Sequence, residues 1–102
     1  MDQSNLPPAA KLAALIEAGR AANPNVKHGR GFYEARDLQT NRVTAACAIG
    51  FAMLAEGVAY PRFEAWGGLS LVGAVQNYND SGASLEAICL SLREGELAKV
   101  TA

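Results

Sequence analysis

The sequence contains few of the residues that build metal centres, disulfide frameworks and catalytic dyads. Its 102 residues include one histidine, His28, and two cysteines, Cys47 and Cys89, which do not form a CxxC pair. Because His28 has no second imidazole with which to share a metal ion, a zinc site is not expected. Isolated cysteines of a reducing compartment are most often buried, so we expect two inert core thiols and no cofactor.

Net charge and long apolar runs are also scarce. The formal net charge is -1, which gives no whole-molecule attraction to nucleic acid or anionic lipid. The uncharged part of the one long apolar segment, residues 43–55, is well short of the roughly 20 residues that span a bilayer, so no membrane partner is expected. The sequence begins with MDQSNLPPAAK, which lacks the basic and apolar regions of a secretory signal, and a cytoplasmic location is predicted.

The overall composition is typical of a globular protein. Half of the residues are apolar and 19% are charged, so enough apolar surface is available to offset the chain entropy that is lost on folding. A length of 102 residues is enough for one hydrophobic core. We therefore expect a single domain over residues 1–102, with residues 1–6 and 97–102 flexible.

Helical spacing of apolar residues predicts most of the fold. The first helix should run over residues 8–22, because Asn23-Pro24-Asn25 follows as a stop. VTAACAIGFAMLAEG, residues 43–57, is apolar nearly all round and predicts a second, central core helix with Cys47 in its middle. Residues 69–78 fit both a strand and a helix, and we favour a short helix.

The last helix is expected to begin after Ser84, whose hydroxyl suits the N-cap position. Residues 27–42 show no helical stripe and are interpreted as a loop with a short strand around residues 32–35. The predicted fold class is therefore mainly α, a small bundle of about four helices with a short strand or hairpin in residues 30–42. The buried stripe of the last helix should consist of Leu85, Ile88, Cys89 and Leu92.

Two short motifs carry a resemblance to known proteins. Cys47-Ala48-Ile49-Gly50, followed some thirty residues later by Asn79-Asp80 and a capping serine, resembles a group of small bacterial and phage proteins of unknown function. These proteins share a C-A-(I/L)-G helix and an N-D turn before a capped helix. The resemblance implies a mainly helical domain of phage or mobile-element origin, and it implies no catalytic activity. A regulator or inhibitor of a host complex is the role expected of such a protein.

Both motifs also have purely structural interpretations. Ala46 and Gly50 lie four residues apart, and small residues at that spacing allow a neighbouring helix to approach closely. Asn79 and Asp80 have side chains that bond local backbone N–H groups, so they are expected to hold the turn between the last two helices.

The sequence gives little support for a catalytic site. A thiol enzyme would have to pair Cys47 with His28, but burial in an apolar helix raises the pKa of a cysteine and makes it unreactive. Gly29-Arg30-Gly31 lacks the remainder of a phosphate-binding loop, and the carboxylates show no acid and base pairing. The sequence therefore predicts a protein that is not an enzyme.

Two binding functions remain as alternatives. The preferred one is contact with a protein partner, because aromatic residues and arginine are enriched at interface cores. The residues expected to make this contact are Arg62, Phe63, Trp66 and Leu69. In the competing interpretation Trp66 closes one end of the core. A C2 homodimer is the commonest assembly for such a domain and is expected as a self-contact.

The alternative binding function is contact with nucleic acid through residues 27–42. This segment has four basic residues against two acidic ones, and two aromatic residues stand among them. Cations that contact phosphates and rings that stack on unpaired bases are the combination used by single-strand binders. The residues that would carry this function are Lys27, Arg30, Phe32, Tyr33 and Arg36.

Overall fold

The computed structural model describes residues 7–95, and the flexibility expected of residues 1–6 and 97–102 lies outside this range, which ends at Gly95. Four helices accompany one small sheet, so the mainly helical class with a short strand is confirmed. In chain order the elements are α1 (Pro8–Ala22), β1 (Lys27–His28), β2 (Glu34–Arg36), β3 (Val43–Ala46), α2 (Ala48–Glu56), α3 (Leu69–Asp80) and α4 (Leu85–Glu94).

Helix α1 has the bounds that its sequence predicts. Pro8 stands in the first turn, where a missing N–H costs nothing. At the other end the Asn23 side chain donates to the Gly19 carbonyl oxygen over 2.8 Å and satisfies one of the last free carbonyls. The face of α1 that joins the core carries Leu12, Ala13, Ile16 and Gly19, all of them buried.

The predicted second helix is wrong in its first part. Residues Val43–Ala46 form β3, and α2 begins only at Ala48, with Cys47 as its N-cap. The β-branched side chains of Val43 and Thr44 favour an extended backbone, and the segment gains strand partners on both sides. The apolar pattern of VTAACAIGFAMLAEG therefore reflects two consecutive buried elements rather than one helix.

The sheet has the order β1-β3-β2, with β1 parallel to β3 and β2 antiparallel to it. Its strands are short, and β2 shifts register between Ala35 and Arg36. The Tyr33 carbonyl oxygen, just before β2, accepts the Cys47 N–H over 3.1 Å. This bond places the loop of residues 29–33 over the beginning of α2.

Helices α3 and α4 confirm the remaining helical predictions. Residues 69–78, which fit either element, are helical as part of α3. The Ser84 hydroxyl oxygen accepts the Ala87 N–H over 3.1 Å, as expected of an N-cap. All four residues of the predicted stripe of α4 are buried: Leu85, Ile88, Cys89 and Leu92. Arg93 at its end forms a two-point ion pair with Glu17 of α1, with both N···O distances at 2.6 Å.

Within residues 7–95, none of the helices combines the length and apolarity needed to cross a bilayer. The longest of them, α1, has 15 residues. A membrane-spanning helix needs about 20 residues.

Two glycines allow backbone segments to touch. A methyl group added at Gly19 of α1 would overlap the Phe51 carbonyl group of α2, and one added at Gly50 would overlap the Tyr33 carbonyl oxygen. The close helix approach expected at Gly50 thus occurs at Gly19, whereas Gly50 admits the loop of residues 29–33. Both glycines are required by contacts between elements distant in sequence.

We predict that Gly50→Ala destabilises the protein by about 1–3 kcal/mol, because the new methyl group meets a backbone carbonyl that cannot move alone. Thermal unfolding should show a fall of about 4–8 °C for each kcal/mol. Gly73→Ala is the matched control, because a methyl group added there in α3 has no atom of residues 7–95 within 4 Å, apart from its chain neighbours and its own helix backbone. The control should stabilise slightly through helix propensity, by about 0.5–1 kcal/mol. An equal effect of the two substitutions would contradict this interpretation of Gly50.

Candidate functional site

The two motifs of the sequence meet in one hydrogen-bonded group of side chains. It lies where the N-terminus of α2, the C-terminal turn of α3 and the loop of residues 29–33 come together. We call it the Asn79 cluster, and its members are His28, Cys47, Gln76, Asn79 and Asp80.

Asn79 is the fully buried centre of the cluster. Its Oδ1 accepts the Ala48 N–H over 3.0 Å, and its Nδ2 donates to the Gly29 carbonyl oxygen over 3.0 Å. An N–H donor on one side and a carbonyl on the other fix which way the amide faces. A single side chain of α3 therefore connects the first amide of α2 to the loop that follows β1.

His28 is bound to the same amide oxygen. The distance from its Nε2 to Asn79 Oδ1 is 2.6 Å. Because that oxygen is only an acceptor, Nε2 carries a proton and donates it to this bond. This nitrogen is therefore not available as a base, and the hydrogen bonds of Cys47 go to other partners.

Cys47 occupies the N-cap of α2 and not the middle of a helix. Its sulfur accepts the Gly50 N–H over 3.4 Å, and its thiol donates to Gln76 Oε1 over 3.2 Å. Burial raises the pKa of the Cys47 thiol, although the amides of Gly50 and Ile49 at the helix start act in the opposite direction. Desolvation is the larger effect, so the thiol stays protonated at neutral pH.

Asp80 is the charged, solvent-facing member of the cluster. Its Oδ1 accepts N–H groups from Gly31 over 2.8 Å, from Gln76 over 3.2 Å and from Asn79 over 3.2 Å. The Gly31 N–H, assisted by these amides, lowers the pKa of the Asp80 carboxyl. The carboxylate is therefore ionised at neutral pH.

Asn79 and Asp80 were expected to hold the local turn between the last two helices, and this expectation is wrong. The turn is closed by backbone bonds and by the Ser81 hydroxyl, which donates to the Tyr78 carbonyl oxygen over 2.8 Å. The Asp80 carboxylate instead accepts the Gly31 N–H. The Asn79 amide binds the Gly29 carbonyl and the first N–H of α2. Spacing along the chain contained no signal for this pairing.

The residues proposed for nucleic-acid contact lie on the small sheet and its loop. Lys27, Arg30 and Arg36 are exposed, and the residues Phe32 and Tyr33 are 38% and 37% exposed. Arg36 is partly occupied, since it donates to the Asn41 carbonyl oxygen over 2.9 Å and lies 3.4 Å from Glu34.

The residues proposed for protein contact separate into buried and exposed members. Trp66 is 1% exposed, and its indole N–H donates to Glu56 Oε1 over 2.6 Å, so this ring closes the core. Arg62 pairs with the other oxygen of Glu56 over 2.8 Å. Leu69 is 70% exposed, whereas Phe63 is half-buried against the core.

Tyr60 was not among the predicted contact residues, yet it is 80% exposed. Its signal in the sequence was its place among the aromatic and apolar residues concentrated around the glycine turn at residues 67–68. A hollow of about 290 Å³ lies in the same region and is lined by Lys11, Leu15, Glu56, Arg62, Ala65 and Trp66.

Residues 7–95 hold no group of three or more histidine, cysteine or carboxylate side chains placed to bind a metal ion. No family model, no curated protein and no solved structure matches the chain. The resemblance to small bacterial and phage proteins therefore stays a prediction.

We predict that Asn79→Ala is strongly destabilising. It leaves the Ala48 N–H and the Gly29 carbonyl without their partner, and each such group costs about 1–3 kcal/mol. Asn77→Ala, an exposed position on the same helix, is the matched control and should change stability by less than about 0.5 kcal/mol. Urea unfolding of the three proteins measures the difference. Similar midpoints for Asn79→Ala and wild type would exclude a structural role for the buried amide.

We also predict that neither thiol of the folded protein reacts quickly with a disulfide reagent at neutral pH. Burial raises the pKa of Cys47, and burial raises the pKa of Cys89 to about 11. Both thiols should become reactive together when urea unfolds the chain. A colorimetric thiol assay follows this change. Fast labelling of Cys47 in the native protein would contradict the inert assignment and favour thiol chemistry.

Proposed function

We propose that this chain is a non-enzymatic domain that binds a protein partner through the segment of residues 60–69. The observation that carries the proposal is the exposure of two large apolar side chains, Tyr60 at 80% and Leu69 at 70%. Aromatic and aliphatic side chains that stand in water on a fixed backbone gain free energy when a partner covers them.

Backbone hydrogen bonds close the part of this segment from Arg62 to Gly68. The Phe63 carbonyl oxygen accepts the Gly68 N–H over 2.6 Å, and the Arg62 carbonyl oxygen accepts the Trp66 N–H over 3.0 Å. The Glu56 carboxylate joins the Trp66 indole to the Arg62 guanidinium. A binding segment ordered before contact loses less conformational entropy on association, which favours affinity.

The hollow beside the segment indicates the chemistry of the partner. Arg62 and Trp66 line it together with Leu15, and Lys11, which also lines it, has no ion pair within residues 7–95. An apolar side chain of the partner fits such a slot, and a neighbouring carboxylate complements Lys11.

The Asn79 cluster supports binding over catalysis. Its thiol is buried and protonated, and the nitrogen of His28 that faces the cluster is a donor. The first N–H groups of α2 that an oxyanion would need are engaged, with Asn79 on Ala48 and Cys47 on Gly50. A domain of this kind acts by covering a surface of its partner, as a regulator or inhibitor does.

The test compares partner capture by three proteins from nuclease-treated bacterial lysate. Tyr60→Ser combined with Leu69→Ser should lose a protein that wild type retains, because the apolar contact is removed. Leu90→Ser is the matched control, since Leu90 is an exposed leucine on α4, and it should retain that protein. Binding should then be reproduced with the purified partner and change little with salt.

Retention of the partner by the double variant would contradict the assignment of residues 60–69. A complex that contains only a second copy of the chain, detected by light scattering, would show a homodimer in place of a different partner.

Nucleic-acid contact through residues 27–42 is the second candidate, and the exposed rings of Phe32 and Tyr33 among cations favour it. The ionised carboxylate of Asp80 beside these rings opposes phosphate binding. This candidate predicts capture of single-stranded nucleic acid that weakens steeply with salt and is lost in Arg30→Ala combined with Arg36→Ala. Binding that is unaffected by salt or by these substitutions would exclude it.

A further inference from the structure

A second concave site opens onto the Asn79 cluster, whose members Gln76 and Asp80 line it, and has no part in the proposed protein contact. It has a volume of about 290 Å³ and is lined by Gly31, Phe32, Tyr33, Gln76 and Asp80. Two aromatic rings and one carboxylate thus share a small open cavity. We call it the Asp80 cavity.

One oxygen of Asp80 is saturated and the other is available. Three N–H groups occupy Oδ1, whereas the only hydrogen bond of Oδ2 within residues 7–95 is a long one of 3.4 Å from Gln76. No lysine or arginine of these residues lies within 4.0 Å of the carboxylate. An exposed anion is therefore fixed in direction and, within the described part of the chain, lacks a paired cation.

The chain fixes this carboxylate through a relay of hydrogen bonds. The Cys47 thiol donates to Oε1 of Gln76, which turns the amide NH₂ of Gln76 toward Asp80. The Asn79 amide and the Gly31 N–H hold the same carboxylate from the other sides. Such a fixed acceptor binds a ligand without paying for reorganisation.

The aromatic side of the cavity is also fixed. The Phe32 ring packs directly on Gly29, where an added methyl group would lie 2.6 Å from the ring carbon Cζ. The backbone of Tyr33 is anchored by its bond to Cys47. Phe32 and Tyr33 are each more than a third exposed and line the cavity together with Asp80, so aromatic residues are accessible to a ligand beside the carboxylate.

We propose that the Asp80 cavity binds the guanidinium group of a small molecule or of an arginine side chain. A guanidinium is planar, always charged and weakly hydrated, so it stacks on an aromatic face while an N–H in its plane donates to a carboxylate. A neutral ligand leaves the charge of Asp80 unused, and a phosphate is repelled by it. A compact ammonium ion keeps its strong hydration and lacks the flat face.

The positive charge of Arg30 allows the proposal to be checked by a second substitution. It attracts the Asp80 carboxylate and helps to lower the pKa of that carboxyl. It lies outside ion-pair distance but competes with a bound cation. Arg30→Ala should therefore tighten guanidinium binding by about two- to threefold, as expected when a partly screened like charge is removed.

The experiment titrates butylguanidinium into the full-length protein and follows backbone amides by NMR. The Gly31 amide should shift and saturate, because it shares the Asp80 oxygen. Asp80→Asn should weaken binding by about tenfold or more, since a charge-assisted hydrogen bond is lost. The substituted side chain keeps an oxygen for the Gly31 N–H, and circular dichroism verifies folding. Asp37→Asn is the matched control, an exposed aspartate that also accepts backbone N–H groups, and it should bind as wild type.

Butylammonium and adenosine monophosphate are the comparison ligands. The proposal is overturned if butylguanidinium gives no saturable shift, if Asp80→Asn binds as tightly as wild type, or if either comparison ligand binds as tightly. Two further arms separate the sources of the group. Tighter binding of an arginine within a capped peptide identifies a protein side chain, and tighter binding of free agmatine identifies a small molecule.

This inference is independent of the contact at residues 60–69. Asp80→Asn should leave partner capture unchanged, and Tyr60→Ser with Leu69→Ser should leave guanidinium binding unchanged. Failure of one proposal therefore does not remove the other.

Discussion

The buried amide of Asn79 is the constraint on which the arrangement of the Asn79 cluster and of the Asp80 cavity depends. Its oxygen accepts hydrogen bonds from the Ala48 N–H, the first of α2, and from His28 Nε2, and its nitrogen donates to the Gly29 carbonyl oxygen after β1. Burying an amide without partners costs several kcal/mol, so these bonds must form together. Once they form, the loop of residues 29–33 lies against α2, and Gly50 is required because the Tyr33 carbonyl touches it.

The loop of residues 29–33 links the core to the Asp80 cavity. Its Gly31 N–H orients the Asp80 carboxylate, and its rings form the other wall of the Asp80 cavity. The segment of residues 60–69 is organised separately, by the Glu56 carboxylate and the buried Trp66 ring. The molecule therefore presents two ordered regions, one apolar and one anionic. The anionic region is supported by the buried Asn79 amide, and the apolar one by the half-buried bond between Trp66 and Glu56.

Helix positions could be predicted from the sequence where caps and stripes are local. Proline and asparagine bounded α1, and Ser84 began α4 as expected. The segment of residues 43–57 could not be divided correctly, because a strand paired on both sides and a buried helix show the same apolar run. Of the candidate site, only the residue types could be predicted. The bonds of Cys47 to Gln76 and of Ala48 to Asn79 join residues about thirty positions apart, which no local spacing encodes.

The most direct test of the central role of Asn79 is native-state hydrogen exchange at the Ala48 amide. This amide is in the first turn of α2, where a backbone acceptor within the helix is lacking, so its protection reports the bond to Asn79. The account predicts that Ala48 exchanges as slowly as the core amides of α2, through global unfolding. Fast exchange at Ala48 while the core amides stay protected would contradict it.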